Sequence, residues 1–315
     1  MLTPLAQNAA IRRFALAVAA AAAVAVAVLH TSAVPTSLAG AAVVTHADGM
    51  RLAAAGGSTG GTGVPARAVR CVHDPAIPAF QVLYGYPADG GSHLGTAATQ
   101  IRQTMANADG AIYAAARETS AHWDVRLKVR CDAENQISIH AFAMSKSGAD
   151  GTGENMQDIT SAGRKAGYDD AMTKYVVFWD SGVSGMCGQG EMHLDDSRDV
   201  NNANNLGNTY AVVFGRDCWT GGAAIHEMGH TMGAVQSSAP HATGAGHCYQ
   251  EQDLLCYADG GPRGRASNMM SSCSGYSRFD CHHDDYFGLG ATRGYLSTHW
   301  NLAWTENRFL SFEHL

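Results

Sequence analysis

The tightest constraint on this chain is one short run, Ala223-Ala224-Ile225-His226-Glu227-Met228-Gly229-His230-Thr231-Met232-Gly233-Ala234-Val235-Gln236. On a helix, His226 and His230 stand one turn apart and present their imidazoles to the same side. Ile225, Met228 and Met232 form a separate stripe about 120° round, able to pack into a core. Gly233 stands where a left-handed residue ends the helix and turns the chain sharply. The fold therefore has to bury one flank of a short helix while two imidazoles face a common point.

The chain around this run has the material for a core. It is 315 residues long, 46% hydrophobic and 16% charged, with a formal net charge of −7. The first 68 residues hold four arginines (Arg12, Arg13, Arg51, Arg67) and one acid, Asp48, so the body beyond them is more acidic than the whole. An acidic body without a basic block argues against nucleic acid as a partner, because neutralising phosphates needs clustered cations. It argues equally against a polybasic membrane contact.

The N-terminal segment reads as an export signal. Arg12 and Arg13 precede the uncharged, Ala- and Val-rich run Phe14 to Leu29, and Ser37-Leu38-Ala39 offers a small-x-small cleavage site. Residues 1–39 are thus expected to be a signal peptide, with an uncleaved anchor as the rival reading. Residues 40–68, centred on Gly56-Gly57-Ser58-Thr59-Gly60-Gly61-Thr62-Gly63, read as a linker or short pro-segment that cannot offset its ordering entropy. All eight cysteines follow this segment, an even number that implies disulfides in an exported chain. Pairing neighbours in sequence gives Cys71–Cys131, Cys187–Cys218, Cys248–Cys256 and Cys273–Cys281. No C-x-x-C is present, so a thiolate zinc cluster is not expected.

The rest of the body predicts a mixed fold. Phe80 to Tyr86 reads as a strand. Leu94 to about Thr119 has helical spacing along Ile101, Met105, Ala108, Ile112 and Ala115, with Asp109-Gly110 as a candidate break. Val125, Leu127 and Val129 alternate with Arg126, Lys128 and Arg130 as in a half-buried strand, and Ile137 to Met144 alternates similarly. Met156 to Gly167 predicts a short helix. Tyr175 to Trp179 is continuously apolar, as in a strand covered on both faces, and Tyr210 to Phe214 predicts another strand. From about Gly233 the chain becomes loop-rich, ending in a helix-like segment near Tyr295 to Leu310.

Paired imidazoles of this kind suit Zn²⁺. Glu227, beside the first of them, is placed to take a proton from metal-activated water. His226-Glu227-x-x-His230-x-x-Gly233 resembles the motif of the metzincin zinc peptidases, which continues to a third histidine and then a Met-turn. Here Gln236 fills the closing position, an HExxHxxGxxQ variant that, with Val235 to Tyr257, looks like a group of secreted actinobacterial metzincin-like proteins. A neutral amide is a poor zinc ligand, so His241 is the expected third ligand. Gln236, His247 and the acids near Asp253 are the alternatives. Leu255-Cys256-Tyr257 fits the spacing of a Met-x-Tyr segment with Leu for Met, a swap of similar volume. Tyr257 would then offer a phenol to the transition-state oxyanion.

The resemblance implies an α+β, metzincin-like fold. A twisted, mostly parallel sheet with an antiparallel edge strand and packed helices would be followed by a loop-rich, disulfide-stapled C-terminal subdomain. It makes 69–315 the metallopeptidase domain, its cleft lying between 69–233 and 234–315, with Tyr210 to Phe214 as the edge strand receiving substrate. It implies a secreted zinc endopeptidase that acts on extracellular proteins or peptides, with Glu227 as general base and His226, His230 and His241 as metal ligands. A non-catalytic binding protein on a decayed scaffold is the alternative, and non-peptide amides are alternative substrates. Calcium in the Asp195 to Asn205 loop, or a cation at His282-His283-Asp284-Asp285, lacks fixed ligand spacing, and both segments are expected to be solvated loops.

Overall fold

A computed structural model describes residues 42–43, 69–183, 185–250, 253–270 and 278–315. The expected signal peptide, all but Ala42 and Val43 of the 40–68 segment, and Cys273 lie outside the described residues.

Among the described residues a nine-stranded sheet forms the frame. Its central strands are β3 (Ala79–Pro87), β6 (Thr173–Trp179) and β8 (Tyr210–Phe214), mutually parallel in the order β8-β6-β3. Beyond β3 lie β4 (Trp123–Arg130) and β5 (Ile139–Met144), both parallel to it, with β2 (Arg70–Val72) parallel to β4. β9 (Leu310–His314) runs antiparallel to β4. On the other side β7 (Gly188–Met192) pairs antiparallel with β8, and β1 (Ala42–Val43) pairs antiparallel with β7 through Glu191 and Met192. Tyr210–Phe214, expected at the edge, is therefore an interior strand with a partner on each side, and the antiparallel strand outside it is β7.

The register explains the apolar runs. Val82, Val176 and Ala211 share one face, while Leu83, Val177 and Val212 share the other, and all six are fully buried. The first face is covered by helix α1 (Leu94–Thr119), helix α3 (Gly221–Thr231) and the C-terminal loops. The second is covered by helix α2 (Met156–Lys165), through Met156 and Ile159, together with Phe142 and Met144 from β5. Each large apolar side chain withdrawn from water here contributes about 1.5–3 kcal/mol. That is why a parallel sheet tolerates no polar run in its middle.

α1 runs unbroken through Asp109-Gly110. Asp109 is fully buried on its inner face, paired with the equally buried Arg126 of β4, and accepts the Leu127 N–H at 2.8 Å. Burial pushes its carboxyl up to about 6, with Arg126 opposing that shift. The charge is thus used to lock α1 onto β4. The helix-like segment expected near Tyr295 to Leu310 is instead a 3₁₀ turn, Tyr295–Ser297, followed by turns and then β9, which completes pairing along β4.

Cys71–Cys131, Cys187–Cys218 and Cys248–Cys256 are bonded as neighbour pairing predicts. Such cross-links suit an oxidising compartment. No helix among the described residues is long and apolar enough to cross a membrane.

Candidate metal centre

The site is built on α3, whose ends are both satisfied. The Thr220 hydroxyl accepts the Ala223 N–H at 3.2 Å. At the other end Lys174 of β6 donates to the Thr231 carbonyl at 2.6 Å, and the Trp300 indole donates to the Met232 carbonyl at 2.7 Å. Lys174 is fully enclosed, and burial lowers its ammonium to about 7. A cation donor at a helix C-terminus complements the exposed carbonyls there. Gly233 follows at φ +102°, the left-handed turn expected of it, and a Cβ there would lie 2.8 Å from Asn204 Cγ.

β7 approaches α3 closely, and glycine allows it. A Cβ on Gly188 would fall 2.6 Å from Glu227 Cγ and closer still to its carboxylate. One on Gly190 would fall 2.6 Å from the Glu227 carbonyl and 2.7 Å from His230 Cβ. Glu227 is 3% exposed, and burial raises its carboxyl to about 7, with the neighbouring His226 opposing the shift.

Three imidazoles converge beside it: His226, His230 and His247, all buried. Their outer nitrogens settle what the inner ones can do. His226 Nδ1 lies 2.6 Å from the Leu254 carbonyl, and His230 Nδ1 lies 2.6 Å from the Ala234 carbonyl. A carbonyl only accepts, so each Nδ1 carries the proton and each Nε2 presents a lone pair. His247 Nδ1 faces the Asp259 carboxylate at 2.9 Å, which fixes the same tautomer. The Nε2 atoms of His226 and His230 are 3.1 Å apart. Two lone pairs at that distance repel, whereas two nitrogens sharing a tetrahedral ion are separated by about 3.3 Å. The donor set and its oriented outer shell therefore fit a divalent metal ion.

His247 reaches this point through a disulfide. Cys248–Cys256 closes a loop whose flanking residues are His247 and Tyr257, so the bond holds both against α3. The Tyr257 hydroxyl lies 3.1 Å from His247 Nε2 and donates to it. Leu255 is fully buried beneath the helix, its methyls within van der Waals reach of a Cβ built on Gly229.

The structure brings together His226, Glu227, His230 and Tyr257 from the expected set. It does not bring in His241, the expected third ligand, whose Nδ1 is 3.0 Å from Asp285 Oδ2 in a different cluster. Gln236, the alternative, is engaged through its nitrogen. Its amide Nε2 donates to the carbonyls of His193, at 2.9 Å, and Gly233, at 3.0 Å, tying the turn after α3 to the strand end. In the Asp195 to Asn205 loop the Asp195 carboxylate is occupied by Ser197 and Ala203. The three groups of metal donors found among the described residues include none from that loop.

Asp259 is itself held by the Thr243 hydroxyl at 2.6 Å and the Gly261 N–H at 2.9 Å. Asp259→Asn is expected to weaken binding of a divalent metal ion about 10–100-fold, because the amide no longer secures the Nδ1–H tautomer of His247. Competition titration against a chromophoric chelator measures it, and an unchanged affinity would remove Asp259 from this role.

No protein-family profile matches the chain, and no curated protein matches it by sequence. Among solved structures, it has a loose neighbour in the crystal structure of metalloproteinase-II from Bacteroides fragilis. The identity is 17%, over 60% of this chain and 49% of that one, with a TM-score of 0.27. The chain thus spans about half the length of that protein, and an overlap this slight says nothing about activity.

Proposed function

We propose that the protein is a secreted zinc endopeptidase on a metzincin-like scaffold, with His226, His230 and His247 as the metal ligands and Glu227 as general base. The observation that carries this reading is the convergence of three proton-free Nε2 atoms next to a buried carboxylate. When bound, zinc would supply a Lewis acid that polarises the scissile carbonyl and acidifies water. Glu227, fixed between α3 and the glycines of β7, takes the proton from the attacking water and passes it to the leaving amine. The Tyr257 phenol, partly exposed beside His247, would leave the Nε2 lone pair to the ion and donate its hydrogen bond to the developing oxyanion instead.

An extended peptide suits the antiparallel edge offered by β7, because main-chain pairing there holds the substrate irrespective of its side chains. β1 pairs with Glu191 and Met192 of this strand and with none of Gly188 to Gly190, the part nearest Glu227. The departures at Gln236 and Leu255 do not favour a decayed site, since the first braces the turn and the second fills the floor.

The test is hydrolysis of casein by the oxidised protein, before and after dialysis against a zinc chelator. Activity is expected to vanish with the metal and return on adding zinc. A zinc-loaded protein without hydrolysis of casein or a mixed peptide library would refute the peptidase reading.

A further inference from the structure

A second group of donors lies where the loop after α3 meets the segment containing Asp284 and Asp285. His241 Nδ1 is 3.0 Å from Asp285 Oδ2, 3.7 Å from Asp284 Oδ1 and 2.9 Å from the Gln250 amide nitrogen. Asp285 is 1% exposed and Gln250 fully buried, so this is not the solvated loop that its acidic sequence predicts. The other Asp285 oxygen accepts the His241 N–H at 2.8 Å, which fixes the carboxylate against the ring. Gln250 Oε1 is a buried atom with no hydrogen-bond partner among the described residues, while the partly exposed Asp284 carboxylate faces both His241 and the Gln250 side chain.

A single Nδ1 cannot donate to Asp285 and also accept from the Gln250 amide. A half-turn of that amide exchanges its nitrogen for Oε1. Every atom facing the centre is then a lone-pair donor: one imidazole nitrogen, two carboxylate oxygens and one amide oxygen. Donors about 2.0–2.2 Å from a shared ion stand about 3.0–3.5 Å apart, and the three partners here lie 2.9, 3.0 and 3.7 Å from His241 Nδ1, so a small inward shift of Asp284 would seat them on one ion. Imidazole among the donors favours a first-row ion over calcium, which takes oxygen alone.

We propose that His241, Gln250, Asp284 and Asp285 form a second, structural site for a divalent cation of the zinc class. The ion ties the 284–285 segment to the loop that carries the third imidazole of the first site. His241 O accepts the Tyr249 N–H at 3.0 Å, and Ala242 bridges to Cys248, so bracing His241 braces His247. The competing occupant is a proton, because the hydrogen bond to Asp285 raises the His241 imidazole above its ordinary value.

Zinc counting on the oxidised full chain separates the two. After equilibration with excess Zn²⁺ and gel filtration, mass spectrometry of the metal is expected to find about two ions per chain, one for each histidine-containing group. Asp285→Asn keeps an oxygen for the His241 N–H but loses a carboxylate, and is expected to hold one ion with casein hydrolysis retained. His226→Ala is expected to lose the other ion and keep this one. Gln250→Leu, which leaves both carboxylates in place, serves if Asp285→Asn does not fold, and is expected to weaken the second ion at least ten-fold. The proposal is overturned if the wild type saturates at one ion that His226→Ala abolishes. It is equally overturned if Asp285→Asn, or Gln250→Leu in its place, still binds two as tightly as the wild type.

Discussion

Glu227→Gln is expected to lower kcat/KM for peptide hydrolysis by about 10²–10⁴-fold while zinc content and folding stay as in the wild type. The amide has nearly the shape of the carboxylate, so it fits the space that Gly188 and Gly190 leave. What it lacks is the capacity to take a proton. The His226 and His230 tautomers are fixed by the Leu254 and Ala234 carbonyls and not by Glu227, so the metal ligands stay oriented. Kinetics on a quenched fluorescent peptide, with zinc measured on the same sample, gives the answer. Wild-type turnover by this variant would exclude Glu227 as the base. An equal loss of zinc and activity would make it a residue that only supports the metal ligands.

Gly188→Val has the second largest expected effect. Its Cβ would lie 2.6 Å from Glu227 Cγ, and neither neighbour can move cheaply, since β7 is paired to β8 and α3 is packed beneath. Overpacking of this kind costs about 1–3 kcal/mol. Displacing the carboxylate by about 1 Å can cost 10²-fold in rate. The variant should therefore melt several degrees lower and lose most activity, with its three histidines still able to take up zinc. Gly110→Ala, in α1 with nothing within 4 Å of the new methyl, is the control and should raise stability by up to about 1 kcal/mol. Full activity in Gly188→Val would mean that β7 does not set the position of Glu227.

Much of the frame could be read from the chain itself, because single residues there face single demands. Tyr175–Trp179 is apolar at every position since both faces of β6 are covered, and Lys174, just before it, is spent on the end of α3. The α1 stripe was legible for the same reason. Asp109 was not, because its partner Arg126 is adjacent only once α1 lies across β4. β7 carries no strand signature, with two glycines in five residues. Its strand is dictated by the helix it must approach, and no local pattern encodes that.

In the site, the helix residues followed from spacing alone, whereas the third imidazole depended on a loop path. His241 and His247 are both loop histidines within reach of the turn after Gly233. One signal did separate them. Pairing Cys248 with Cys256 puts His247 directly opposite Tyr257, a residue already expected beside the metal, whereas His241 has no such tie. Asp284 and Asp285 misled for the opposite reason: two adjacent acids read as solvated until the fold encloses Asp285 and seats it on His241.

The cystine that brackets His247 and Tyr257 also governs when the centre comes into being. A chain whose cysteines are still thiols owns the two nitrogens on its helix, but its third sits on a loop held only by hydrogen bonds such as the one to Asp259. Closing that loop concentrates His247 against the other two without any new contact at the ring. Oxidation of this pair and the placing of the third imidazole opposite Tyr257 are thus coupled.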